Sequence, residues 1–134
     1  MSNALGLKII MNIKRFSKLT EITSHTLRYY EKIGLILNVA RNSKGHRDYS
    51  EKDIAWVEFL KRLKATGMPL NIMKTFADLR YKGDSTVNDR LQILENHHRK
   101  ISENIETLTK HKNKIADKIK IYKDWKIQDP SKKS

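Results

Sequence analysis

Apolar positions along this chain change their period several times. Ile13, Phe16 and Leu19 recur at the spacing of one helix face. Glu21-Ile22-Thr23 breaks that run, and Ser24 is a residue type that caps helix starts by accepting a backbone N–H, so a second helix is predicted over residues 25–32. Gly34 follows where helices commonly end in left-handed backbone. Two short helices across a three-residue turn read as a helix-turn-helix. Residues 35–49 then suit extended structure. Leu37, Val39 and Tyr49 favour strands, and Asn42-Ser43-Lys44-Gly45 is turn chemistry, so a small hairpin carrying Arg41, Lys44, His46 and Arg47 at its tip is expected.

Helical spacing returns after Ser50-Glu51-Lys52-Asp53, a capping box with Asp in the place of Glu or Gln. Ile54, Val57, Leu60 and Leu63 run at i, i+3 steps, with Trp56 and Phe59 beside them, until Gly67-Met68-Pro69 stops the helix. A further helix over residues 70–81 is expected to turn Ile72, Met73, Phe76 and Leu79 inward, with Gly83 closing it.

The last segment is the most regular. Val87, Leu91, Leu94, His98, Ile101, Ile105, Leu108, Lys112, Ile115, Ile119 and Tyr122 alternate steps of four and three, an a/d seam of five heptads led by a Thr86–Asp89 cap. Such a rod has little within its own chain to cover it, and soluble monomers avoid exposing a long apolar stripe. The seam predicts a homodimeric coiled coil, with Leu91, Leu94, Ile101, Ile105, Leu108, Ile115 and Ile119 as its apolar contacts. His98 and Lys112 are polar seam positions of the kind that fixes register. The expected fold is therefore mainly α: a winged helix-turn-helix over residues 12–82, a dimerisation helix over 83–123, and a polar tail over 124–134. Met1-Ser2-Asn3-Ala4 reads as a cloning remnant and Met11 as the native start, so residues 1–11 are set outside the fold.

Composition narrows the function. The 134 residues carry 28 Lys+Arg against 15 Asp+Glu, a formal charge of +13. That excess favours a polyanion, nucleic acid or an anionic membrane surface, without choosing between them. Residues 11–49 hold eight Lys/Arg and three Asp/Glu, a local +5. The chain has no cysteine, which excludes disulfides, thiolate metal sites and thiol chemistry. No apolar run approaches the ~18 residues of a membrane span, and no secretory signal is evident, so a cytoplasmic location is expected.

A recognition helix needs small or polar groups at its start to approach base edges, and cations or hydroxyls beside them to hold phosphates. Thr23, Ser24, His25 and Thr26 open the second helix, followed by Arg28, Tyr29 and Tyr30. His25 and Thr26 are expected closest to base edges. Arg28, Arg41 and Arg47 are expected to supply phosphate and groove contacts, and the hydroxyls of Tyr30 and Tyr49 to hold phosphates. Tyr29 is assigned to the core. His97 and His98 are adjacent and point about 100° apart on a helix, which does not suit one metal, although two chains together could pool histidines. No metal site, cofactor or catalytic residue is expected. Paired carboxylates with a histidine, GxSxG and phosphate-binding glycine loops are missing from the sequence.

The run Thr26-Leu27-Arg28-Tyr29-Tyr30-Glu31-Lys32-Ile33-Gly34-Leu35, then Arg41, Gly45-His46-Arg47-Asp48-Tyr49-Ser50 and Gly67-Met68-Pro69-Leu70 resembles the MerR family of transcriptional regulators over about residues 12–122. Gly83-Asp84-Ser85-Thr86, Arg90-Leu91, Leu94-Glu95 and His97 are similar to its small branch that responds to aldehydes or reactive electrophiles. The resemblance implies a winged helix-turn-helix, two further helices and a long helix forming an antiparallel dimer. It implies a pseudo-palindromic operator in a promoter spacer, bent and untwisted so that RNA polymerase engages both promoter elements. Position by position, Ser24, His25, Arg28 and Tyr30 match the family's recognition-helix contacts, and Arg41, Arg47 and Tyr49 its wing contacts. Lys64 matches a further phosphate-binding cation, and Lys18 is a weaker match.

Two departures stand out. Glu21 occupies a turn position where the family usually has glycine or a similar small residue; positive φ there costs a non-glycine residue about 1 kcal/mol. The family's frequent sensing cysteines, one of them near Arg62, have no counterpart here. A small-molecule inducer, if used, is expected at the junction of the 70–81 helix and the dimer helix. Two rival readings are a basic coiled-coil interaction protein that docks a protein or a membrane, and a non-specific architectural DNA binder. The charge speaks against the first: from Tyr81 onward there are 13 Lys/Arg and 8 Asp/Glu, a milder excess than the +8 of residues 1–80, which is concentrated on the helix-turn-helix and wing.

Overall fold

Asn12 starts the first helix by accepting the N–H of Arg15 on its side-chain oxygen at 2.9 Å. The computed structural model describes residues 10–128; most of the expected leader (1–9) and the last six residues of the expected tail (129–134) lie outside the described residues. Helix α1 spans Ile13–Thr20 and α2 Ser24–Lys32. The wing is an antiparallel pair, β1 (Ala40–Arg41) and β2 (Arg47–Asp48), followed by α3 (Glu51–Ala65) and α4 (Leu70–Lys82). A 3-10 turn at Asp84–Thr86 leads into α5, Val87–Gln128.

Local signals set most of these boundaries. Thr23, one residue before the expected Ser24, caps α2 by accepting the N–H of Thr26 at 3.1 Å. Gly34 takes φ 88°, and the N–H groups of Gly34 and Leu35 bond the carbonyls of Glu31 and Tyr30 at 3.2 and 2.9 Å. That pattern closes a helix on a left-handed residue, with buried Leu35 packing beneath. The same device ends α3 at Gly67 and Met68. At the start of α3, Asp53 Oδ2 accepts the Ser50 N–H at 2.9 Å.

The core of the N-terminal unit gathers Phe16, Leu27, Leu35, Ile36, Tyr49, Val57, Leu60 and Met73, with Trp56 and Phe76 beside them. α1 packs on α2 and α3, and α3 on α4. Lys61 Nζ of α3 donates to the Thr20 carbonyl at 2.6 Å, and the buried Trp56 Nε1 donates to the Leu35 carbonyl at 2.7 Å. Two positions expected inward are instead exposed: Leu19 (52%) and Ile72 (37%). In α1 the buried positions are Phe16 and Thr20, one helical turn apart, which leaves Leu19 off that face. In α4, Met73, Phe76 and Ala77 fill the inward face, and Ile72 falls outside it.

Met11, assigned by sequence to the leader, is buried and belongs to the fold. It exchanges two backbone hydrogen bonds with Tyr49, at 2.8 and 2.7 Å, extending the wing by one bridge. Thr86 does not cap α5 as expected. Its hydroxyl lies 2.6 Å from the Leu79 carbonyl, to which it donates, and it accepts from Arg90 Nε at 3.0 Å. These bonds tie the first turns of α5 to the end of α4. The chain divides into two compact units after Ile93, within α5. The unit from Leu94 onward is described through Gln128 by α5 alone, five residues past the expected helix end.

Candidate nucleic-acid interface

The turn between α1 and α2 carries Glu21 at φ 58°, ψ 31°, the left-handed region that glycine adopts without strain. Ser17 Oγ donates to the Ile22 carbonyl and stabilises the turn from within. α2 then presents His25, Arg28 and Tyr29 to solvent, with Ser24 and Thr26 half-buried. The Thr26 hydroxyl lies 2.9 Å from that of Thr23, within the cap of its own helix.

The roles of the two adjacent tyrosines are exchanged relative to the sequence reading. Tyr29 is 45% exposed, whereas Tyr30 is 6% exposed. At about 100° per residue, Tyr30 falls three positions after buried Leu27 on the same face, while Tyr29 falls four positions after His25 on the outer face. Tyr29, expected in the core, is thus a candidate contact residue, and its spacing of four from His25 is the signal in the sequence.

Tyr49 also departs from its expected role. Its ring is fully buried and stacks on Phe16 at 4.1 Å, and its hydroxyl is buried without a hydrogen-bond partner among the described residues. The hydroxyl therefore has no path to a phosphate. Burial, and then the neighbouring Glu31 carboxylate, push the Tyr49 pKa above the usual phenol value.

The wing tip is built by Asn42, whose side-chain oxygen accepts the N–H groups of Lys44 and His46 at 2.9 and 3.0 Å. Gly45 closes the turn at φ 80°. Arg41 and Arg47 converge on Glu31 of α2: Arg41 Nη2 donates to Oε1 at 3.0 Å and Arg47 Nε to Oε2 at 2.5 Å. Glu31 raises the Arg47 pKa through this hydrogen bond, against a lowering by burial. Lys18 and Lys64 are exposed on α1 and α3. The structure thus brings Arg28, Arg41 and Arg47 onto or beside one helix and its wing.

Near α4, Arg80 lies over the Trp56 ring at 4.1 Å. A cleft of about 410 Å³ is lined by Lys52, Ala55, Trp56, Phe59, Phe76, Arg80 and Arg90, where α4 meets the first turns of α5. Among the described residues, no group of three or more His, Asp or Glu side chains is placed to hold a metal ion, and no helix is long and apolar enough to cross a membrane.

Residues 11–78 match the MerR HTH family regulatory protein pattern, and residues 54–118 match the MerR DNA-binding pattern. The chain belongs to the MerR family. As a MerR regulator it is a DNA-binding transcription regulator rather than an enzyme. Over 105 residues it is 36% identical to an uncharacterized HTH-type transcriptional regulator of Haemophilus influenzae, covering 78% of each chain. It is 40% identical to the HTH-type transcriptional regulator AdhR of Bacillus subtilis over 93 residues, 69% of this chain and 66% of AdhR. The structure of HiNmlR, a MerR family regulator lacking the sensor domain and bound to promoter DNA, superposes with a TM-score of 0.80 at 32% identity, covering 89% of this chain and 94% of that one. For this MerR regulator, the mainly helical fold with a small wing and a long C-terminal helix is the one its sequence pattern implied.

Proposed function

We propose that this MerR regulator binds promoter DNA as a homodimer, placing one winged helix-turn-helix in each half of a pseudo-palindromic spacer and distorting that spacer to control RNA polymerase. The observation that carries the reading is the seam on α5. Leu91, Ile105, Leu108, Ile115, Ile119 and Tyr122 all occupy positions of the four-three seam and stand exposed along a 42-residue helix. Apolar groups in that register bury against a second copy of the same helix. The likeness to HiNmlR, a regulator bound to promoter DNA, supports the choice of target.

Two coupled heads can impose a bend that one head cannot, and contacts to both half-sites offset an elastic cost of several kcal/mol. Arg28, exposed on α2, supplies a phosphate or groove contact, with His25 near the base edges. Arg41 and Arg47 extend the contact from the wing, and Lys18 and Lys64 add peripheral cations.

The test is footprinting on genomic promoter fragments, with sedimentation measured alongside. A protected site centred on a promoter spacer, bound by two chains, is the expected result. Protection without a preferred site, or binding by a single chain, overturns the reading. Partition onto anionic liposomes with no DNA preference overturns it in favour of a membrane-docking role.

A further inference from the structure

Arg41 and Arg47 stand directly opposite each other in the wing. Like charges at opposed positions of an antiparallel pair destabilise it, and here each strand is only two residues long. Glu31, in the last turn of α2, accepts one hydrogen bond from each arginine on separate oxygens, at 3.0 and 2.5 Å. The Glu31 and Arg47 side chains keep only 22% and 24% of their exposure, so this pair is screened less than an open surface ion pair. Arg41 is held from a second side, because its Nη1 donates to the Gly45 carbonyl at 3.0 Å.

We propose that Glu31 is a positioning residue for DNA binding: it fixes both wing arginines, and with them the wing, against the recognition helix in the geometry that the duplex meets. The inference rests on the reading of Arg41 and Arg47 as DNA contacts. A guanidinium offers five N–H donors in a planar fork. Glu31 uses one donor of each arginine, so it orients the forks without exhausting them. A fixed fork also loses less side-chain freedom when a phosphate arrives.

The sign of the effect separates positioning from mere charge. A carboxylate on a DNA-facing surface repels phosphate, so removing a carboxylate that only repels tightens binding. Removing one that positions two cations weakens it.

The experiment measures the affinity of the full chain by fluorescence anisotropy across a KCl series, on a duplex recovered by selection from a random pool. Arg41→Ala and Arg47→Ala are expected to weaken binding and to lower the salt slope by about one each. Glu31→Gln is expected to weaken binding about tenfold and to lower the slope, despite losing a negative charge. If the arginine variants bind weakly while Glu31→Gln binds equally or more tightly, the inference fails and the wing reading stands. If the arginine variants bind like the parent, the wing reading fails and takes the inference with it. Glu31→Asp guards against a folding artefact. Keeping the charge on a shorter arm, it is expected to recover part of the affinity lost by Glu31→Gln, and equal losses in the two variants at unequal melting midpoints overturn the proposal.

Discussion

The rings of Phe16 and Tyr49 lie 4.1 Å apart with their planes within 8° of parallel, joining the first helix to the residue that ends the wing. Both rings are fully buried, and the bridge between Tyr49 and Met11 closes the same junction from the backbone side. A residue type suited to holding phosphate thus serves as the fixed base of the wing.

The buried Tyr49 hydroxyl has no partner among the described residues, so Tyr49→Phe should leave DNA affinity within about twofold and change stability from neutral to about 1 kcal/mol more stable. Urea unfolding and anisotropy titration check the two halves. A tenfold loss of affinity would return the hydroxyl to the DNA face.

Alkaline pH probes the same group. The folded Tyr49 pKa lies above its unfolded value because burial disfavours the phenolate. Its contribution is fully present below the ordinary phenol range, about 10, and is lost as pH rises beyond it toward the folded value, because the unfolded chain releases this proton first. Stability should therefore fall less steeply above that range in Tyr49→Phe than in the parent. Parallel slopes in urea melts at rising pH would count against it.

Tyr29 and Tyr30 should respond oppositely to truncation. Tyr30→Ala opens the core and should cost about 3–5 kcal/mol of stability. Tyr29→Ala should change stability by about 0.5 kcal/mol or less and lower DNA affinity several-fold. Thermal melts paired with binding isotherms distinguish the two, and a stable Tyr30→Ala chain would contradict the burial.

Glu21 sits at φ 58° with its side chain exposed, so Glu21→Gly should relieve local strain. The gain should be about 0.5 kcal/mol or less after the greater freedom of glycine in the unfolded chain is subtracted. A rise of a few degrees in the melting midpoint is expected. A fall would mean that Glu21 makes a stabilising contact that outweighs its backbone cost.

The seam gives the sharpest test of assembly. Ile115→Asp buries a charge in the proposed coiled coil and should cost about 3 kcal/mol or more of association. Sedimentation velocity should then show monomers, while Lys114→Gln, off the seam, stays dimeric. A dimer that survives Ile115→Asp would relocate the interface.

Much of this architecture was legible in the residues because it depends on local physics. Ser50 and Asp53 cap α3 because a carboxylate three residues ahead reaches the free N–H. Gly34, Gly45 and Gly67 sit at positive φ where the chain must reverse. The heptad spacing from Val87 to Tyr122 required no neighbour to be recognised as one helix. The candidate site was less legible. Its cations were visible, but their arrangement was not, because nothing near Arg41 or Arg47 in the sequence names their shared partner.

By itself the sequence determined the helices, their caps, the turn of the wing, the seam and the cationic character of the N-terminal half. Each follows from interactions within a few residues or from a repeating period. Only the tertiary structure decided that the Tyr49 ring is buried against Phe16, that Met11 pairs with Tyr49, and that Glu31 gathers two arginines from the wing. Those outcomes arise between segments far apart in the chain. Which ring loses its water and which charge finds its partner is settled when those segments pack, where desolvation and hydrogen-bond geometry act together.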